Sequence, residues 1–368
     1  MKNTFGNALK ITLFGESHGD SIGVVIDGIA PGIEIDYDFI DRQLDRRRSK
    51  THVCTQRAET DDYRIISGVF EGHTTGTPLC IVIPNRDTKS SDYQLFSSVA
   101  RPGHADYTAN CKCHGYQDFR GGGHFSGRIT VALVAAGAII QSALEKKGIY
   151  VGTHIKRCAG VDDRAFENYE RDIKFLHSSK FSILDDGAMD KIIESASKIK
   201  ADNDSTGGIM ETAIVGVPAG VGEPWFDNIE SMLSHAMFSI PAIKGVEFGS
   251  GFACADMTGS QMNDEFYVSE SGDILTRSNH NGGINGGISN GMPITFKCAV
   301  KPTSSIARKQ KTVNFVDKFD TEVEIGGRHD STIIPRACVV AETLSAIASN
   351  VSFILWRRTG YASELMSS

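Results

Sequence analysis

The sequence predicts an α+β fold built as one large domain, on three observations. Strand-like and helix-like segments are mixed without a regular βαβ alternation. A chain of 368 residues with 40 % hydrophobic content has ample core for one domain, or for two intimate halves of similar build. No internal repeat, heptad pattern or low-complexity linker divides it.

The elements follow in order. Residues 9–14 and 21–27 are rich in β-branched side chains and read as strands, joined by the tight connection Gly15-Glu16-Ser17-His18-Gly19-Asp20. Asp36 is placed to cap a helix carrying Tyr37, Ile40 and Leu44 on one face and ending in Arg46-Arg47-Arg48. Cations suit a helix C-terminus, yet three adjacent arginines point in different directions, so one can face a cleft while another faces solvent. Residues 63–70 and 78–83 read as strands, and 85–99 as a polar excursion. A strong helix is expected near 129–147, its small residues allowing close packing against a sheet. Residues 157–206 are more polar and read as peripheral strands and helices with little chemistry. A strand at 210–217, a helix at 227–237, extended chain from Pro241 through 253–257, an alternating strand at 294–300 and a last helix at 335–354 complete the pattern.

Composition narrows the function. The net charge of -7 and pI of about 5.9 argue against bulk-charge binding of duplex nucleic acid. No uninterrupted apolar run approaches the ~20 residues of a membrane span, and the first residues lack the apolar stretch of a signal peptide. Eight scattered cysteines fit a reducing, cytoplasmic setting. Cys111-Lys112-Cys113-His114 is half of a metal site at most, with no second pair to complete it, so no metal is expected.

What carries the chemistry is a set of short glycine-bearing words: Gly15-Glu16-Ser17-His18-Gly19, Arg101-Pro102-Gly103-His104-Ala105-Asp106, Arg120 through Arg128, Lys301-Pro302-Thr303-Ser304-Ser305 and Gly327-Arg328-His329-Asp330. Glycine mixed with arginine, lysine, histidine and serine builds a poor core and a good cradle for a phosphorylated anion. Gly121-Gly122-Gly123 feeds a helix, where backbone N–H groups favour anions; Ser126 adds a hydroxyl and Arg128 a two-pronged donor. The spacing is neither a Walker loop nor a dinucleotide fingerprint. The glycine run 282–291 leaves bare backbone of the kind a flat ring system approaches closely, or serves only turns. A lone histidine is more often structural than catalytic, but His18 and His104 sit in polar glycine-flanked loops, and a bound phosphate beside an imidazole favours its acid form. No Gly-x-Ser-x-Gly elbow surrounds Ser17.

Together these words resemble the chorismate synthase family, over about residues 5–354. The resemblance rests on Phe14 to Gly19, Gly68 to Gly72 followed by Thr74 to Thr77, Arg101 to Thr108, Arg120 to Gly123, Lys244 to Glu247, Gly286 to Ser289, Lys301 to Ile306 and Gly327 to Asp330, in the family's order. It implies a β-α-β sandwich, a homotetramer, and a reduced-FMN-dependent 1,4-anti elimination of phosphate from 5-enolpyruvylshikimate 3-phosphate that yields chorismate, the last step of the shikimate pathway. The family's catalytic positions fall on His18, the acid for the departing phosphate, on His104, the acid beside the flavin, and on Ser17 and Asp330, a proton relay. Its substrate positions fall on Arg47, Arg48, Arg101 and Arg128. Its flavin-contacting segments fall on His124, Phe125, Ser126, Gly286, Lys301, Pro302, Thr303, Ser304, Ser305 and Arg328. Loops 45–57 and 85–115 are the expected lids. Some relatives also reduce their flavin with NADPH, though no fingerprint for that nucleotide is visible.

The chain departs from the family pattern at His124-Phe125-Ser126-Gly127-Arg128, where Arg-Ser-Ser-Ala-Arg is common; one cation weakens to a histidine and a hydroxyl is lost. Pro241 replaces an asparagine and Ser331 a proline. Two other readings, a flavin reductase without a substrate site and a non-catalytic paralogue, sit poorly with retention of His18, the Arg46–Arg48 run and Asp330.

Overall fold

The alternating run Leu79–Pro84 puts Leu79, Ile81 and Ile83 wholly inside and leaves the residues between them half-buried, as a strand with one face on the core must. It joins an antiparallel five-stranded sheet in the order Thr4–Phe5, Lys10–Gly15, Ser21–Asp27, Leu79–Pro84, Arg64–Ser67. A second antiparallel sheet runs Ile243–Phe248, Ile294–Val300, Gly208–Val215, Tyr150–Cys158, Val161–Asp162. This computed structural model describes residues 1–48, 60–86, 90–326 and 330–358.

The helices are α1 (Tyr37–Arg48), α2 (Asp106–Cys113), α3 (Thr130–Glu145), α4 (Tyr169–Ser178), α5 (Asp186–Ala201), α6 (Ile229–Phe238), the single turn α7 (Gly259–Met262) and α8 (Ile334–Arg358). α3 packs on the first sheet and α8 on the second, and the two helices pack on each other with α1 alongside. The result is a layer of helices between two sheets, the sandwich the resemblance implies. The small residues of α3 serve this helix pairing as well as the sheet: a β-carbon on Gly137 would lie 2.6 Å from Thr343 Cβ of α8. By length and hydropathy the segment Gly127–Glu145 could cross a bilayer, contrary to the sequence reading, but 89 % of its most apolar window is buried inside the protein; it is core.

Most elements stand where the pattern puts them. Asp36 Oδ1 accepts from Phe39 N at 2.8 Å at the start of α1, and Asn228 Oδ1 from Ser231 N at 2.6 Å at the start of α6. Four expectations need correction. Tyr37, in the first turn of α1, is half exposed, and the buried face is instead Phe39, Ile40, Gln43, Leu44, Arg46 and Arg47. The strand expected at 63–70 breaks at Gly68, whose φ is +87° and where a β-carbon would lie 2.5 Å from Leu79 Cα. Residues 253–256 are not extended; they belong to a 3₁₀ turn, Gly251–Asp256, whose first residue Gly251, like Gly249 before it, has positive φ. The strand Tyr150–Cys158 reaches into the segment read as peripheral and lies inside the second sheet.

Candidate active site

The three arginines closing α1 separate about 100° apiece, and each has its own destination. Arg46 turns inward to Glu342 of α8, at 2.7 Å. Arg47 donates to Thr130 Oγ1 and to the Gly127 carbonyl at 3.0 Å, at the head of α3. Arg48 donates to the Thr60 carbonyl at 3.0 Å and stays partly exposed. One helix end thus serves core, cavity and rim.

The first strand pair brings in Ser17 and His18. Ser17 is buried, and its N–H donates to the Gly123 carbonyl at 3.1 Å, tying the Ser17-His18 turn to the three-glycine turn. Gly121, Gly122 and Gly123 all have positive φ. The imidazole of His18 meets the edge of Tyr93, with ring centroids 5.1 Å apart.

His104 is fixed from behind. Asp106 Oδ1 accepts from His104 Nδ1 at 2.8 Å and from Arg101 Nη2 at 2.7 Å, while Oδ2 accepts from Arg101 Nε at 2.8 Å. Burial pushes the Asp106 carboxyl up, but hydrogen bonds from Arg101 and His104, with their charges, outweigh it and hold the group well below the usual carboxylate range. The proton of a neutral His104 therefore sits on Nδ1, and Nε2 lies on the side of Gly122. Arg101 also stacks over Phe96, at 4.5 Å.

The second sheet supplies the far wall. Lys301 Nζ donates to the Gly103 carbonyl at 2.5 Å, clasping the His104 loop. Thr303 Oγ1 donates to the Asp330 carbonyl at 3.0 Å, and Asp330 Oδ2 accepts from Arg336 Nη1 at 3.1 Å.

All of these walls face one cavity of about 1120 Å³, onto which His18, His104 and Asp330 all open. Among the described residues its lining carries eight cationic side chains, Lys2, Arg47, Arg48, Arg101, Arg128, Lys244, Lys301 and Arg336, against two carboxylates, Asp61 and Asp330. A protein of net negative charge thus concentrates positive charge in one hollow, as recognition of a multiply charged anion requires. The lining also holds apolar side chains, among them Phe5, Ile11, Leu13, Phe125 and Leu133.

Of the other residues read from the sequence, His124, Phe125, Ser126, Pro302, Thr303, Ser304 and Ser305 also line the cavity. His124 is a structural tie there: Nδ1 bonds the Gly15 carbonyl at 2.7 Å, and Nε2 lies 3.3 Å from Asn3 Oδ1. Gly286 is exposed at the turn of the hairpin pairing Ile284–Asn285 with Ile288–Ser289, apart from the cavity lining. Ser17 sits behind the lining. Arg328 and most of loop 45–57 lie outside the described residues, and loop 85–115 contains α2.

Asp61 and Arg336 are cavity residues that escaped the sequence reading. Asp61 is buried in a left-handed conformation at φ +53°, paired with Arg128 Nη1 and lying 3.7 Å from Arg47 Nη1. Nothing local distinguishes it from its neighbour Asp62. Arg336 did leave a signal: a cation in the first turn of a helix opposes the macrodipole and asks for a reason.

Comparison with known proteins agrees with this geometry. Residues 9–352 match the family model described as chorismate synthase. The chain belongs to the chorismate synthase family. It is 42 % identical over 356 residues to the chorismate synthase of Thermococcus kodakarensis, covering 97 % of this chain and 98 % of that one. To the chorismate synthase of Methanocella arvoryzae it is 45 % identical over 347 residues, 94 % of this chain and 92 % of that one. The chorismate synthase of Synechocystis is 43 % identical over 349 residues, 94 % and 96 % of the two chains. A crystal structure of chorismate synthase superposes with a TM-score of 0.74 at 27 % identity, covering 97 % of this chain and 94 % of that one.

Proposed function

We propose that this chain eliminates phosphate from 5-enolpyruvylshikimate 3-phosphate to give chorismate, with reduced FMN bound beside the substrate. The observation that carries this reading is the meeting of His18, His104 and Asp330 on a single cavity crowded with arginine and lysine. Its volume of about 1120 Å³ exceeds that of an ordinary single-ligand pocket, about 300–1,000 Å³, and suits a cofactor and a substrate side by side.

The donor set fits the cofactor. Lys301, Thr303, Ser304 and Ser305 offer a cation and hydroxyls to a phosphate tail, and the wall of Phe5, Ile11, Leu13 and Phe125 offers apolar surface to a flat ring. When bound, reduced FMN supplies an electron to the substrate transiently and a site at N5 for the departing hydrogen, with no net redox change.

The chain's own residues do the rest. Loss of phosphate breaks a carbon–oxygen bond and leaves negative charge on the leaving group; preorganised cations stabilise that charge without reorganising. Arg47, Arg48 and Arg128 supply them on one side and Arg101 on another. His18 donates a proton to the leaving oxygen. His104, held through Nδ1–H by Asp106, presents Nε2 to the cavity and serves as a second proton donor in its imidazolium form, when Nε2 also carries a proton. Ser17 and Asp330, the latter oriented by Arg336, would relay onward the proton that departs by way of the cofactor's N5. The apolar wall keeps water from the reactive centre. We assign the chain to the cytoplasm as one domain in a homotetramer, to which exposed Trp225, Phe226 and Phe252 contribute interface.

The test is phosphate release from the enolpyruvyl ester with anaerobically reduced FMN. The lyase turns over. A flavin reductase would oxidise NADPH and release no phosphate, and a non-catalytic paralogue would do neither.

A further inference from the structure

Arg128 and the Ser17-His18 turn come from distant parts of the chain, and one carboxamide joins them. Asn85 follows the strand Leu79–Pro84, its N–H donating to the Asp20 carbonyl at 3.0 Å and so continuing the ladder that pairs Pro84 with Ser21. Its side-chain Nδ2 donates to two carbonyls, Glu16 and Gly19, each at 2.9 Å. These carbonyls bracket Ser17 and His18. Its Oδ1 accepts from Arg128 Nε at 3.1 Å. Two acceptors on one side and a guanidinium donor on the other leave no choice of orientation: a flipped amide would set oxygen against two carbonyls and NH₂ against a cation. Among side chains of this length, only asparagine carries both N–H donors and the acceptor.

We propose that Asn85 is a positioning residue that locks the His18 turn to Arg128, so that the arginine receiving the phosphate and the acid protonating it move as one body. The idea rests on the roles assigned above to His18 and Arg128, but its geometry does not. Asn85 lies behind the lining and reaches the reaction only through these partners. An anion pulling on Arg128 then tightens the turn, and a disordered turn loosens Arg128.

Hydrogen exchange separates this proposal from the functional reading. The amides of Ser17 and Gly19 are both hydrogen-bonded, to Gly123 and Glu16 carbonyls, and their exchange reports the turn without any turnover. In Asn85→Ala these amides should exchange at least tenfold faster, while those in Ser21–Asp27 and Leu79–Pro84 keep the wild-type rate. Inorganic phosphate should slow them in wild type and not in the variant. Asn85→Asp keeps the volume, loses both donors, and should behave alike; it serves if the alanine variant folds poorly. A double-mutant cycle with Arg128→Lys, read as phosphate release, should be strongly non-additive, with kcat falling more than KM rises. Unchanged exchange at Ser17 and Gly19 in both variants overturns the proposal, as does an additive cycle. If the wild-type protein releases no phosphate from the ester, the functional reading fails while the exchange comparison still decides for or against Asn85.

Discussion

His18 lies directly over Gly121: a β-carbon on that glycine would stand 2.3 Å from His18 Cδ2, 2.5 Å from Nε2 and 2.9 Å from Ser17 Oγ. Gly121 also holds φ at +60°, where a side chain costs about 1–2 kcal/mol. Gly121→Ala should therefore displace the imidazole and lower turnover by roughly the 10²–10⁴-fold expected for His18→Ala, the contribution of a positioned general acid. Gly259→Ala, where no atom lies within 4 Å of the new methyl, is the control and should retain full activity. Wild-type turnover in Gly121→Ala would remove His18 from the mechanism.

The Asp106 carboxylate predicts a pair of effects. Asp106→Asn exchanges a charged acceptor of three side-chain bonds for a neutral group with one oxygen, freeing both His104 and Arg101. Turnover should fall by about 10²-fold, the lower end of general-acid contributions. Stability gives the second effect. The folded-state carboxyl is held below its ordinary value of 3.8, so its stabilisation is complete above that pH and is lost as pH falls further. Melting curves of wild type and variant should differ near pH 6 and converge in strong acid; a gap that persists there would contradict the pairing.

Much of this site was legible in the chain because its words are chemically odd. Histidine in a polar glycine-flanked loop, and three adjacent arginines that must point in different directions, drew notice beyond their structural uses, and His18, His104 and Arg47 do reach the cavity. Residues that serve the site through a partner left little trace. Asn85 and Asp61 lie in ordinary polar stretches, and what they do is set by Arg128, 43 and 67 positions away. At the glycine run 282–291 the sequence left two readings open, and the backbone displays the turns. Its geometry serves turns: Gly283 and Gly287 have positive φ, and β-carbons there would come within 2.5 Å of Pro293 O and 2.6 Å of Asn228 Cβ. In the fold, period-two strands and capped helices were readable locally. That the small residues of α3 meet α8 as well as a sheet depends on a partner some 200 residues distant, which no local pattern encodes.

A buried imidazole outside the site carries a stability prediction. His154 is inaccessible, with Nδ1 2.7 Å from Asp163 Oδ2 and Nε2 3.0 Å from Glu211 Oε2. Burial opposes its charge, but the hydrogen bonds and charges of the two carboxylates outweigh burial and raise its pKa. Asp163 keeps three backbone donors, from Leu184, Asp185 and Arg164, if the histidine is removed; Glu211 does not. His154→Leu should cost about 3–5 kcal/mol, the usual penalty for stripping one partner from a buried ion pair. A raised histidine pKa stabilises fully below its ordinary 6.5 and loses that stabilisation as pH rises through the folded value. Denaturant titrations should therefore show the gap to wild type narrowing in alkali. A gap that widened instead would mean that His154 is neutral in the fold.

The last prediction concerns Glu145, at the C-terminal end of α3 beside a second cavity of about 450 Å³. Burial, and then the charge of Glu342, push its carboxyl up to about 7, with Arg42 and Arg46 pulling the other way. Glu342 is itself drawn down to about 2: burial raises it, but Arg46 and His177 outweigh burial. The carboxylate that owns the arginine stays charged, and its neighbour keeps a proton. A carboxyl raised in the fold favours the folded state fully below its unfolded value of 4.5, and that advantage is lost as pH climbs through about 7. Glu145→Gln fixes the side chain in a neutral form. It should melt with wild type at pH 4.5 and several degrees higher at pH 8.5, with Glu145→Asp still pH-dependent. If the glutamine variant tracked wild type at both pH values, Glu145 would be ionised throughout, and the division of charge between the two glutamates would be wrong.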